Sequence, residues 1–108
     1  MTSFLYDSDG NWIAFRRKPD DKFLFNTDGD WIGWFPWGDD DAVTENGDYL
    51  GTVVSKNRLM RRSTQPYRGY PGYPGYPGYP GYPGYPGYAG TIGYLSGFAD
   101  VPKGFLTP

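Results

Sequence analysis

The chain contains no cysteine and no histidine among its 108 residues. Zinc sites built from those side chains, thiol catalysis, histidine-based triads and histidine pH switches are therefore excluded. Charge of either sign is not in excess: 10 Lys and Arg stand against 12 Asp and Glu, a net −2. Overall charge thus gives no pull toward nucleic acid or anionic lipid, and either partner would need a local patch. No stretch approaches the ~20 apolar residues of a spanning helix, and no basic-then-apolar leader follows Met1. These absences read as a soluble chain with a lean toward the cytoplasm.

What the chain has in abundance is aromatic side chains, 20% of all residues, together with 17 glycines and 11 prolines. Much of the glycine and proline is in one tract, so the rest must fold around a small core stocked with large rings. Length fits one domain.

Internal repetition organises the remainder. Phe4-Leu5-Tyr6-Asp7-Ser8-Asp9-Gly10-Asn11-Trp12-Ile13-Ala14-Phe15 matches Phe23-Leu24-Phe25-Asn26-Thr27-Asp28-Gly29-Asp30-Trp31-Ile32-Gly33-Trp34 almost position by position, and Val43-Thr44-Glu45-Asn46-Gly47-Asp48-Tyr49-Leu50-Gly51-Thr52-Val53 is a looser copy. Asp-Gly or Asn-Gly between apolar runs signals a β-hairpin, with a type I′ turn as the first expectation. Centred there, the turn puts Phe4 opposite Phe15, Tyr6 opposite Ile13, Phe23 opposite Trp34, Phe25 opposite Ile32 and Val43 opposite Leu50. A small residue recurs at Ala14, Gly33 and Gly51, the mark of a bend or a close backbone approach. Tyr88-Ala89-Gly90-Thr91-Ile92 lines up with Tyr49-Leu50-Gly51-Thr52-Val53. It reads as the return strand of a fourth hairpin whose first strand lies near Arg58 to Ser63.

On these motifs the chain resembles the 4-fold β-flower family. The resemblance implies an all-β fold of four short hairpins around a pseudo-four-fold axis, forming a shallow barrel. The family has no established catalytic residues, so the resemblance implies a fold without a mechanism. Some members carry membrane-spanning segments, and no such segment is evident here. The expected organisation is a β domain over 1–65 with three hairpins and the first strand of the fourth. An insertion follows over 66–87, and 88–108 completes the domain.

The insertion is Tyr70-Pro71-Gly72, Tyr73-Pro74-Gly75, Tyr76-Pro77-Gly78, Tyr79-Pro80-Gly81, Tyr82-Pro83-Gly84 and Tyr85-Pro86-Gly87, preceded by a degenerate Tyr67-Arg68-Gly69. Proline removes amide donors and fixes φ, so helix and central strand are both excluded. A polyproline-II-like linker satisfies this composition. Glycine at every third position from Gly69 to Gly93 also meets the formal requirement of a collagen-like helix. Regularly spaced tyrosines equally suit weak multivalent contacts.

Catalytic and metal-binding chemistry finds little support. Asp7-Ser8-Asp9-Gly10-Asn11 alternates carboxylates, but its glycine comes too early for a calcium loop and strand follows at once, so these residues read as turn formers. Asp39-Asp40-Asp41 reads as a solvated acidic loop. Arg16, Arg17 and Lys18, with Arg58, Arg61 and Arg62, form basic clusters suited to an anion or lipid patch. No catalytic, cofactor or metal residue is assigned. The expectation is a non-enzymatic structural or interaction module in which the tract drives homo-oligomer formation. A β domain bound to an anionic membrane surface through the basic clusters is the alternative.

Overall fold

Three hairpin turns share one construction, which differs from type I′. In the first, the Gly10 amide donates to the Asp7 carbonyl (3.1 Å) and the Asp7 amide to the Asn11 carbonyl (2.9 Å). Gly29 with Asn26 and Asp30, and Gly47 with Thr44 and Asp48, repeat both bonds. Only the glycine of each turn has positive φ (92°, 84° and 89°), whereas type I′ requires it at both central residues. This is the three-residue loop in which a type I turn ends in a glycine bulge. The residue three before each glycine selects it. Asp7 Oδ1 accepts the Asp9 and Asn11 amides, Asn26 Oδ1 accepts the Asp28 and Asp30 amides, and Thr44 Oγ1 accepts the Asp48 amide. The acidic and amide residues of the repeat therefore serve the turns.

The bulge corrects the register near each turn. Tyr6 lies opposite Trp12, Phe25 opposite Trp31 and Val43 opposite Tyr49, while Phe4–Phe15 and Phe23–Trp34 pair as expected.

The computed structural model describes residues 1–65 and 68–108. Its strands are β1 (Ser3–Tyr6), β2 (Trp12–Arg16), β3 (Phe23–Asn26), β4 (Trp31–Trp34), β5 (Asp41–Val43), β6 (Tyr49–Val54), β7 (Arg58–Arg62) and β8 (Phe98–Asp100). Neighbours in sequence pair antiparallel, and β1 also meets β7 in parallel at Tyr6 and Arg58, which closes β1 to β7 into a mixed barrel. The molecule is shallow, 35 × 34 × 23 Å. No helix among the described residues is long and apolar enough to cross a membrane.

In the first two hairpins a leucine pairs with a small residue on the neighbouring strand, Leu5 with Ala14 and Leu24 with Gly33, whereas in the third both partners, Ala42 and Gly51, are small. Leu5, Ala14, Leu24, Ile32, Phe35, Ala42, Leu50, Leu59 and Val101 form one buried cluster. Each fully buried leucine contributes about 1.5–3 kcal/mol. Gly33 has no room for a side chain, because a Cβ would strike the Val43 carbonyl. Phe15 and Phe25 stack at 5.6 Å and tie the first hairpin to the second.

β7 lies where the first strand of a fourth hairpin is expected, but its partner is β8, with Arg62 opposite Phe98 and Met60 opposite Asp100. Residues 88–92 form no strand. Instead the Ala89 amide donates to the Gly10 carbonyl and the Ile92 amide to the Ser8 carbonyl, both at 2.9 Å. The tract delivers the chain to the first turn rather than to the open edge of β7, and that edge is reached only at Phe98. Beyond β8, Phe105 and Leu106 pack on the core, and the Leu106 carbonyl accepts a hydrogen bond from Asn26.

Tyr70 to Gly87 is neither helix nor strand. Its glycines have φ between 82° and 92°. Polyproline II and collagen need φ near −75° throughout, so continuous winding of either kind is not met. One reversed residue in each triplet interrupts the left-handed turn. The expected degenerate copy includes Tyr67, which lies outside the described residues.

Candidate functional site

The sequence Trp-Ile-Ala/Gly after each of the first two turns makes a ring-holding device. The Trp12 indole donates to the Ala14 carbonyl (2.9 Å) and the Trp31 indole to the Gly33 carbonyl (2.7 Å). Phe4 meets Trp12 edge-on at 5.7 Å, and Phe23 meets Trp31 edge-on at 6.1 Å, both at 75°. Two indoles are thus held in the same way on successive hairpins.

The Tyr-Pro-Gly tract lies against them. Tyr73 and Tyr76 each contact Trp31 with ring centroids 5.8 Å away. Tyr82 and Tyr85 each contact Trp12 at 6.0 Å. The turn glycines are contacted as well: a Cβ on Gly47 would stand 2.9 Å from the Tyr70 ring, and one on Gly29 2.6 Å from the Tyr79 ring. Gly10 faces the Gly90 backbone. Equivalent tyrosines on successive hairpins are therefore three triplets apart: Tyr70 and Tyr79, Tyr73 and Tyr82, Tyr76 and Tyr85. The tract is a belt in register with the hairpin rim, running in the reverse of hairpin order. Despite these contacts, Tyr70 to Tyr85 of the belt stay 56–68% exposed.

Both ends of the belt are fastened by arginine. At the entrance, Arg68 bonds Asp39 and Asp41 at 2.8 Å each and lies 4.0 Å from the Trp37 ring. Asp41 is buried and also holds Arg62 (3.1 Å) and the Thr52 hydroxyl (2.7 Å), which in turn contacts Tyr49. The acidic run is thus half built into the fold. Burial works to raise the Asp39 carboxyl, but the Asp41 amide and the Arg68 and Arg62 guanidiniums outweigh it and hold the group below its ordinary range. The Arg68 guanidinium is raised, chiefly by its hydrogen bond to Asp39. A pocket of about 200 Å³ lies beside this fastening, lined by Trp37, Asp41, Tyr49, Arg62 and Arg68.

At the exit, buried Arg58 donates to the carbonyls of Gly90 (2.6 Å), Ala89 (3.2 Å) and Asp7 (3.1 Å). Ser8 adds two bonds to Asp100.

The six basic residues expected to form a patch are engaged separately. Arg17 makes a two-pronged pair with buried Asp21 (2.6 and 3.0 Å), and Arg16 donates to the Asp21 carbonyl while covering Phe35. Lys18 stands 4.0 Å from Asp20. Arg61 donates to the Tyr49 carbonyl and stacks on Phe105, Arg62 holds Asp41, and Arg58 holds the belt. Desolvation lowers the Arg16 pKa against the pull of Asp21 and its acidic neighbours.

Sequence reasoning did not select Trp12, Trp31 or Arg68 as site residues. The available signals were the Trp-Ile-small motif present in two copies and the charged residue in the degenerate triplet that precedes the repeat. No protein-family profile, curated protein or solved structure matches the chain.

Proposed function

We propose that this protein is a non-enzymatic interaction module, a four-petalled β-flower whose Tyr-Pro-Gly belt mediates self-association. One observation carries the reading: the belt holds its tyrosines at fixed three-residue intervals, each more than half exposed. A tyrosine already ordered gives up little conformational entropy on binding and offers both ring and hydroxyl. Among the described residues, the carboxylates of Asp7, Asp21, Asp39 and Asp41 bond turn amides or arginines, which is in keeping with a structural use.

Support for the four-fold arrangement comes from local repetition. Trp12 and Trp31 share one anchoring bond, and the Tyr49–Thr52 hydroxyl contact of 2.6 Å is echoed by Tyr88 and Thr91 at 3.0 Å. Each petal position thus carries an aromatic residue fastened to its own strand or segment.

Sedimentation velocity of the full chain over a wide concentration range tests the proposal. Concentration-dependent association, lost when the belt tyrosines become serine, is the expected result. A monomer at every concentration overturns it.

A further inference from the structure

We infer that the rim bearing Trp12 and Trp31 is a reading site for Tyr-Pro-Gly triplets, and that the tract of a second copy can occupy it in place of the chain's own. This rests on the self-association reading above and names the surface that would do the binding.

The two tryptophans are equivalent receptors. Each takes two tyrosines one triplet apart, both at a centroid distance of 5.8 Å on Trp31 and both at 6.0 Å on Trp12, and at interplanar angles of 61° and 62° on Trp31 and 56° and 55° on Trp12. Full engagement needs the five consecutive tyrosines from Tyr73 to Tyr85, with Tyr79 on the Gly29 turn between the two indoles. A side chain at Gly29 would block that seat.

Identity of the triplets makes the seat indifferent to origin. Any Tyr-Pro-Gly run of the right length presents the same rings at the same spacing, whichever copy it belongs to. Among the described residues, no hydrogen bond joins Tyr70–Gly87 to the barrel; such bonds are confined to Arg68 at one end and to Ala89 through Ile92 at the other. The middle of the belt can therefore lift without breaking either fastening. The tract carries no charge, so two copies do not repel each other there.

The test uses the full chain with Tyr73, Tyr76, Tyr82 and Tyr85 changed to serine. Barrel, tract length and both fastenings are retained, and the indoles are left without their own rings. Synthetic peptides of six, three and one Tyr-Pro-Gly units are titrated while the indole N–H signals of Trp12 and Trp31 are followed by NMR. The expected result is saturable movement of both signals by the six-unit peptide, with affinity about tenfold or more above that of the three-unit peptide, which reaches only one indole. A peptide of equal length with period four, Tyr-Pro-Gly-Gly, should lose that gain. No movement, or equal binding of the period-four peptide, overturns the inference. Should the variant not fold, a spin label on the tract of one wild-type copy must broaden the Trp12 and Trp31 signals of a second, isotope-labelled copy, and absence of broadening at associating concentrations overturns it. Peptide binding by a wild-type chain that stays monomeric would sink the self-association reading and the exchange between copies, and leave the rim as a reading site for triplets. Association without peptide binding would sink this inference alone.

Discussion

Arg58, at the foot of β7, donates to the Gly90 carbonyl at 2.6 Å. That bond joins the strand that closes the barrel to the segment that ends the belt. Removing this buried guanidinium leaves the Gly90 and Ala89 carbonyls without their partner and strips Asp7, which keeps the Gly10 amide, of its second. Hydrogen bonds to a charged group contribute about 1.5–3 kcal/mol each, and the half-buried acceptors of Ala89 and Gly90 are only partly recovered by water. Arg58→Ala is expected to lose about 3–4 kcal/mol in urea denaturation, the upper range of such losses. Arg58→Lys should recover only part, because one ammonium cannot reproduce the fork.

A second prediction concerns the close approach at β4. Gly33→Ala forces a methyl group onto the Val43 carbonyl. The expected loss is about 1–3 kcal/mol, as for other overpacked sites. The equivalent position in β2 already holds Ala14, so Ala14→Gly should cost only about 1 kcal/mol through chain entropy. Thermal unfolding of the two variants checks the contrast.

The turn between β6 and β7 holds two ordinary residues in the left-handed region, Ser55 at φ 49° and Lys56 at φ 75°. Each costs about 1 kcal/mol there. Replacing Ser55 with Asn and Lys56 with Gly is expected to raise stability by about 1 kcal/mol, read as a higher urea midpoint with an unchanged slope.

Acid should weaken the fold through Asp21. Burial pushes this carboxyl up, but the Arg17 guanidinium and the Phe23 and Arg17 amides outweigh it and hold the pKa below the ordinary carboxylate value. A depressed native pKa gives stability that is present above the unfolded value of about 3.9 and is lost as pH falls through the native one. The stability difference between wild type and Asp21→Asn should therefore shrink as pH drops from about 5 to about 2. A difference independent of pH would contradict the pairing.

How much of this could be read from the chain alone depends on how local each feature is. The hairpins and their small residues at Ala14, Gly33 and Gly51 are legible, because turn chemistry and strand alternation act over a few residues. The turn type is legible only if Asp7, Asn26 and Thr44 are read as acceptors placed three residues before a glycine. The β8 partner of β7 is not legible. Tyr88 to Ile92 carries the better strand alignment, but the belt sets that segment against the first turn, a constraint that exists only once the barrel has closed. The seat of the tract is hidden for the same reason. Trp12 and Trp31 look like core residues in sequence, and the match of three triplets to one hairpin step is a property of the rim.

Register is the belt's defining feature, and insertion probes it. One extra glycine after Gly78 leaves Tyr73 and Tyr76 on Trp31 and displaces the rings that reach Trp12. One aromatic pair is worth about 0.5–1.5 kcal/mol, so the loss should be of the order of 1–2 kcal/mol and confined to the Trp12 side by amide exchange.

Nuclear Overhauser contacts between indole and tyrosine ring protons in the full chain test the seating of the belt most directly. Trp12 and Trp31 should each show contacts from two tyrosine rings. Trp37, covered by Arg68, should show none from the repeat. Tyrosine signals at random-coil positions, with no contact to either indole, would contradict it.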